Sequence, residues 1–234
     1  MAATIEIIRE TRRYRLTGTS AIMGSNPANP DIHSQYVAAK AKELAKAGLI
    51  SDEQARAKAE EETSMLPSAE ELAEQQRDIK ERGLTVFLRN GRGELCLSAH
   101  VIKGYFKSAF TVLKDQLKIS AVKGKVDNLI FVSPAYIPIL MDGRPVHTPD
   151  GYCERPLRAE TMQGPRISLA SSELLDAPWE LEFELTLIGN SATKRSVEIS
   201  WAEIECALSY GEFKGLGQWR NGGYGSFRFE RLPD

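Results

Sequence analysis

Several chemistries are excluded by what this sequence has little of. Cysteine is scarce: Cys96, Cys153 and Cys206 are odd in number and far apart. That spacing builds neither a disulfide framework nor a zinc site and predicts reduced thiols in a cytoplasmic protein. No apolar run approaches the roughly 18 residues of a membrane span. The opening residues MAATIEIIRE read as too charged, and too short in their apolar part, for a secretory leader. Histidine occurs three times, at His33, His100 and His147, in three different segments with no metal-like spacing. There is no nucleophile elbow, no paired-carboxylate motif, and no glycine loop ending in G-K-[ST]. The expectation is a chain that is not an enzyme and uses no metal or cofactor. Charge of one sign is also missing in bulk, since the net value is −2 over 234 residues. Residues 38–82 carry eleven acidic and eight basic side chains, whereas residues 83–234 carry eighteen of each. Any polyanion site must therefore be a local patch rather than a global field.

What is present reads as α+β. Apolar stretches at 5–8 and 14–16 flank Arg12 and Arg13, and Tyr14 and Leu16 alternate with Arg13 and Arg15. That period predicts a strand with one buried face. Gly18, Gly24, Pro27 and Pro30 interrupt regular structure next. Residues 32–82, rich in Ala, Lys and Glu, read as a helical insertion or partner arm. The Ser51…Gln54 and Ser68…Glu71 pairs both fit a capping box there, with Pro67 marking a break. Residues 84–88 and 95–97 read as strands joined by a turn at Asn90-Gly91. Ser98 is expected to cap a helix running to about Leu117, with Ile102, Phe106, Ala109, Leu113 and Leu117 on one face. Residues 128–132 read as a buried strand. Residues 134–170 form a proline-rich excursion with turn signals at Asp142-Gly143 and Asp150-Gly151, an expected projecting hairpin. Residues 180–188 alternate apolar with Glu and Thr as a strand. The Ser200…Glu203 capping box opens a helix ending at Gly211, and residues 226–232 close as a strand.

Between that helix and that strand lies the stretch with the strongest chemical signal, YGEFKGLGQWRNGGYGSFRF. Glycine is used where φ is positive or where another backbone comes close, and successive exposed amides can line an anion-binding concavity. Lys214, Gly215, Gly217, Trp219, Arg220, Gly222 and Gly223 combine such a loop with two cations and an aromatic ring, which suits phosphate and base together. Lys103, Lys107, Lys114 and Lys118 share one helical stripe, either a solvated face or a phosphate-tracking edge. Arg144, Arg155, Arg158 and Arg166 punctuate the excursion, either as phosphate forks or as partners of Glu154 and Glu160.

With the insertion set aside, the order is βαββαβ. This is a ferredoxin-like (RRM-like) core in a single domain spanning 1–234, with the helical insertion at 32–82 and a thumb-like excursion at 134–170. The segments IKGYFK and KGLGQWRNGGYGSF, together with a strand ending near Gly24, resemble the RAMP superfamily, the RNA-binding proteins of CRISPR systems. In that family a ferredoxin-like domain carries a glycine-rich loop before its last strand and a thumb-like hairpin between its second and third strands. The matching places here are 214–225 and 134–170. LTGTSAIMGSNP and RPLRAETMQGPR are also similar to a group of phage and prophage proteins. In this topology the first strand lies between the third and fourth. The open sheet face then shows Glu180, Glu182 and Glu184 beside Arg13, Arg15 and Arg228, a charge lattice and not a base-stacking platform.

Three functional expectations follow. The first is a non-catalytic protein of phage or CRISPR-like type that binds single-stranded RNA or DNA. It would bind the strand through Lys214, Gly215, Gly217, Trp219, Arg220, Gly222, Gly223, Lys103, Lys107, Arg155, Arg158 and Arg166, and assemble along it as a homo-oligomer or with related subunits. The second is a phage-encoded structural or interaction protein that keeps the fold without the nucleic acid. The third is a metal-independent endoribonuclease that uses His33. No membrane partner is expected in any of them.

Overall fold

The computed structural model describes residues 7–29, 33, 51–67, 83–161, 164–190 and 199–233. Among them the first strands are β1 (Ile7–Gly18), β2 (Ile22–Met23) and β3 (Asn26–Pro27), followed by helix α1 (Asp52–Ser64). Next come β4 (Gly83–Val86), β5 (Leu88–Arg89), β6 (Leu95–Ser98), α2 (Ala99–Leu117) and α3 (Val122–Leu129). Strands β7 (Ile130–Ser133), β8 (Tyr136–Met141), β9 (Arg144–Pro145), β10 (Gly151–Thr161), β11 (Gly164–Leu175) and β12 (Glu180–Asn190) follow. The described chain closes with α4 (Trp201–Ser209), the single turn α5 (Gly211–Lys214) and β13 (Phe227–Arg231). The result is mixed α and β, mostly sheet with few helices, and its strands form two sheets. Contacts divide the chain into two compact units, one from residues 1–22, 97–145 and 176–234, the other from 23–96 and 146–175. The segments read as an insertion and as a thumb fall mostly within the second unit.

In the first unit β1 is central. It pairs antiparallel with β12 on one side (Tyr14↔Phe183) and with β13 on the other (Leu16↔Phe229). Strands β7 and β8 both lie along the far side of β12, also antiparallel. The period-two pattern explains the sheet's two faces. Tyr14, Leu16, Leu181, Phe183, Leu185 and Leu187 are all buried. Over them α2 buries Ile102, Tyr105, Phe106, Ala109 and Phe110. Tyr105 donates its hydroxyl to the Ala207 carbonyl of α4 at 2.5 Å, and its ring meets Phe227 edge-on at 5.2 Å. Burial holds the Tyr105 phenol well above its ordinary range. Tyr14 is raised for the same reason, with Glu205, which accepts its hydroxyl at 3.1 Å, adding to the shift. The opposite face carries the charge lattice. Arg15 bonds Glu182 at 2.6 Å and Glu230 at 2.9 Å, and Arg13 approaches Glu182 at 3.7 Å.

The second unit is built on the β10–β11 hairpin, with β4 parallel to β11 and β3 antiparallel to β4. Ala28, Leu84 and Val86 form one apolar cluster in it, with Leu66 and Tyr152 packed against it. Glu173 is fully buried there, and a buried carboxylate needs partners. It accepts from Arg89 at 2.7 Å and from the Phe87 amide at 2.8 Å. The β5–β6 turn is organised by Asn90, whose side-chain oxygen accepts from the amides of Arg92 and Glu94.

Several expectations shift. The first strand, β1, runs from Ile7 and so takes in the end of the first apolar stretch as well as the second. Ser98 precedes α2 but does not cap it, because its hydroxyl bonds His100 Nδ1 at 2.7 Å instead. Asn128 and Leu129 end α3, so the strand starts at Ile130. The excursion at 134–170 is mostly strand, and its hairpin runs on to Leu175. The second capping box, at Ser68 and Glu71, lies outside the described residues.

Candidate nucleic-acid interface

The glycine-rich loop leaves α4 and α5 and enters β13, all within the first unit. Its frame is a narrow neck. The Leu216 amide donates to the Gly225 carbonyl at 2.8 Å, and the Gly225 amide donates to the Ala21 carbonyl at 2.7 Å. The Leu216 side chain is buried beneath. Both neck glycines are in the left-handed region, Gly215 at φ +67° and Gly225 at φ +75°. A Cβ on Gly215 would lie 2.3 Å from the Tyr224 carbonyl oxygen, and one on Gly225 would lie 2.0 Å from that of Leu216. These two positions exclude side chains because two backbones cross there.

Beyond the neck lie Trp219 and Arg220. Trp219 adopts φ +49° and leads into a single 3₁₀ turn at Arg220–Gly222. Its ring stacks on Tyr224, with centroids 5.3 Å apart and planes at 16°. A Cβ on Gly222 would lie 2.8 Å from the same ring. The indole is thus held in place, yet remains 43% exposed. Lys214 and Arg220 are half-buried and, among the described residues, make no ion pair. On α5, Phe213 is 78% exposed, its ring 6.3 Å from Tyr210. The loop therefore presents a braced aromatic with Arg220 next to it in the chain, while Lys214 ends α5 just before the neck.

Four of the loop's glycine amides are not available for the expected anion cradle. Those of Gly215, Gly222, Gly223 and Gly225 already donate to the carbonyls of Gly211, Trp219, Arg220 and Ala21. These glycines shape the loop.

The remaining candidates separate. The Lys103 ammonium donates to the Asp127 carbonyl at 3.1 Å and sits 5.0 Å over the Phe131 ring. Lys107 pairs with the Asp127 carboxylate at 2.7 Å. Both hold α3 against α2. Arg155 leaves the candidate set: it is 6% exposed and donates to Ser172 Oγ at 2.9 Å inside the second unit. A buried guanidinium needs such acceptors, and once satisfied it is not offered to phosphate. Arg158 and Arg166 fall in the outer part of the β10–β11 hairpin, at register positions opposite Ile167 and Ala159; their side chains lie outside the described residues. His33 is fully buried. Sequence reasoning missed Tyr224 and Phe213. The Tyr224 brace was legible only as an aromatic five residues beyond Trp219, and nothing in the local pattern signals the exposure of Phe213.

Among the described residues no cluster of three or more His, Cys, Asp or Glu could hold a metal ion, and no helix is long and apolar enough to cross a membrane. No protein-family model matches this chain, and no curated protein matches it.

Proposed function

We propose that the chain is a non-catalytic, cytoplasmic protein that binds single-stranded nucleic acid through its glycine-rich loop and the end of α5 that leads into it. Trp219 stacks on a base, while Lys214 and Arg220 neutralise flanking phosphates. The observation that carries this reading is the braced, half-exposed indole, followed in the chain by Arg220 and preceded by Lys214 at the end of α5, both cations without an ion pair among the described residues. The first unit also supports a ferredoxin-like βαββαβ core, because its strands run β13, β1, β12 and then β7 with β8, all antiparallel, with α2 and α4 on one face. That arrangement is compatible with a RAMP-like or phage-type binding protein. Since the open sheet face is filled by ion pairs, binding is confined to the loop.

The test is titration of fluorescent single-stranded RNA and DNA at about 50 mM and about 200 mM salt, where phosphate contacts differ most. Binding at low salt that Trp219→Ala weakens about tenfold supports the reading, since one base stack is worth about 1–3 kcal/mol. Absence of binding at low salt rejects it.

A second reading, a structural or interaction protein, is favoured by the four glycine amides already donated to backbone carbonyls and by the near-zero net charge. Light scattering before and after nuclease treatment separates the two. Assemblies that survive nuclease, in protein that binds no oligonucleotide, favour the second. His33, being buried, gives the endoribonuclease reading no support.

A further inference from the structure

β13 is the outermost strand of the first unit's sheet. It pairs with β1 on one side and, among the described residues, with no strand on the other. The Leu232 amide donates to the Arg13 carbonyl at 2.9 Å, and the Thr19 amide donates to the Ser226 carbonyl at 2.8 Å. The even-numbered residues of this strand therefore exchange backbone bonds with β1. In an antiparallel ladder alternate residues turn their N–H and C=O groups the opposite way. Those of Phe229, at the strand's centre, point out from the sheet. Side chains alternate as well. Phe227 is buried under the helices, whereas Arg228 and Glu230 are exposed on the open face.

We infer that this edge pairs antiparallel with the same edge of a second copy of the chain, Phe229 opposite Phe229. Three neighbouring registers set outward-facing peptide groups against one another, and charge decides among them. A register centred on residue 228 places two Arg228 side chains together, and one centred on residue 230 places two Glu230 together. Like charges directly opposite destabilise a strand pair. The register centred on residue 229 sets Arg228 of each copy against Glu230 of the other, twice by the two-fold axis. Charged edge residues ordinarily block edge pairing. Here their alternating sign blocks the two flanking registers and favours the central one. Arg228 already meets Glu212 at 3.2 Å, but that pair is exposed and worth little, so the guanidinium remains available to Glu230 of the second copy.

The experiment is sedimentation velocity on nuclease-treated protein from about 10 µM to about 1 mM, the range in which a single short strand pair associates. The wild-type chain should form a dimer. Arg228→Glu and Glu230→Arg should each weaken it about tenfold, and the double reversal should restore it. Hydrogen exchange of the Phe229 amide in the wild-type chain gives a second readout, with protection that rises with protein concentration. A wild-type chain that stays monomeric with a concentration-independent Phe229 amide overturns the inference. So does a dimer indifferent to the reversals, or a double reversal as weak as the single ones. The inference does not rest on the nucleic-acid reading, and oligonucleotide binding by monomeric Arg228→Glu protein separates the failure of one from the failure of the other.

Discussion

Two glycines of the loop share a left-handed backbone but differ in what a methyl group would meet, and this gives a matched test of the neck. Gly223 has φ +88° with nothing within 4 Å of an added Cβ, whereas at Gly225 (φ +75°) the new carbon would lie 2.0 Å from the Leu216 carbonyl oxygen. Gly223→Ala carries only the left-handed penalty of about 1–2 kcal/mol. A stiffer unfolded chain returns about 0.4–1 kcal/mol of that, for a net loss near 1 kcal/mol. Gly225→Ala adds displacement of the Leu216 backbone. It thereby endangers the Leu216-to-Gly225 and Gly225-to-Ala21 bonds of 2.8 and 2.7 Å, each worth about 1 kcal/mol. The expected total is about 3–4 kcal/mol. Thermal or urea unfolding followed by near-ultraviolet circular dichroism, which senses the Trp219–Tyr224 stack, checks both variants. A difference of about 2 kcal/mol between them is expected. Equal losses would refute the argument that backbone contact, rather than φ alone, demands glycine at the neck.

Four further outcomes follow from the geometry. Arg220→Ala should lower the slope of log affinity against log salt by about one in oligonucleotide titrations, because it removes one phosphate contact. Arg89→Met should destabilise the second unit by about 3–5 kcal/mol in denaturant unfolding, because it leaves the fully buried Glu173 carboxylate without its cation. Ser200→Ala should cost about 1 kcal/mol, since the Ser200–Glu203 box caps α4 from both directions. Burial pushes the Cys96 thiol up to about 11, with Glu94 adding to the rise and a backbone bond at Asn90 opposing it. At pH 8 that side chain is almost wholly the inert thiol, so a chromogenic disulfide reagent should modify it only on unfolding, and an early native-state reaction at Cys96 would count against the structure.

Local chemistry was what the sequence made legible. The Tyr14/Leu16 and Leu181/Phe183/Leu185 alternations give β1 and β12 directly, because period two with one covered face has few other solutions. Both capping boxes within the described residues form as written, at Ser51 with Gln54 and at Ser200 with Glu203. The Asp142-Gly143 turn is also there, with both residues at positive φ. What escaped depends on distant partners. Arg155 is buried by Ser172, seventeen positions away, and nothing near Arg155 announces it. The grouping of 23–96 with 146–175 is likewise a matter of non-local contacts. Asn128 and Leu129 continue a helix because α3 is anchored through Asp127 to Lys103 and Lys107, which no strand pattern reveals. At the candidate site, Lys214, Trp219 and Arg220 were legible because they are neighbours in sequence on one loop. The spent glycine amides were not, since a hydrogen-bond acceptor such as Ala21 lies about two hundred residues upstream.

The placement of β1 between two late strands has a kinetic consequence. Tyr14 finds its neighbours at Phe183 and Arg231, so a chain emerging from the ribosome makes its central strand first and the flanking ones last. Contacts of such long sequence separation slow the search, and until they form, both edges of β1 are open to wrong partners. Nascent chains halted before residue 227 should therefore depend on chaperones, and the arrival of β13 is the step that covers the second edge of β1.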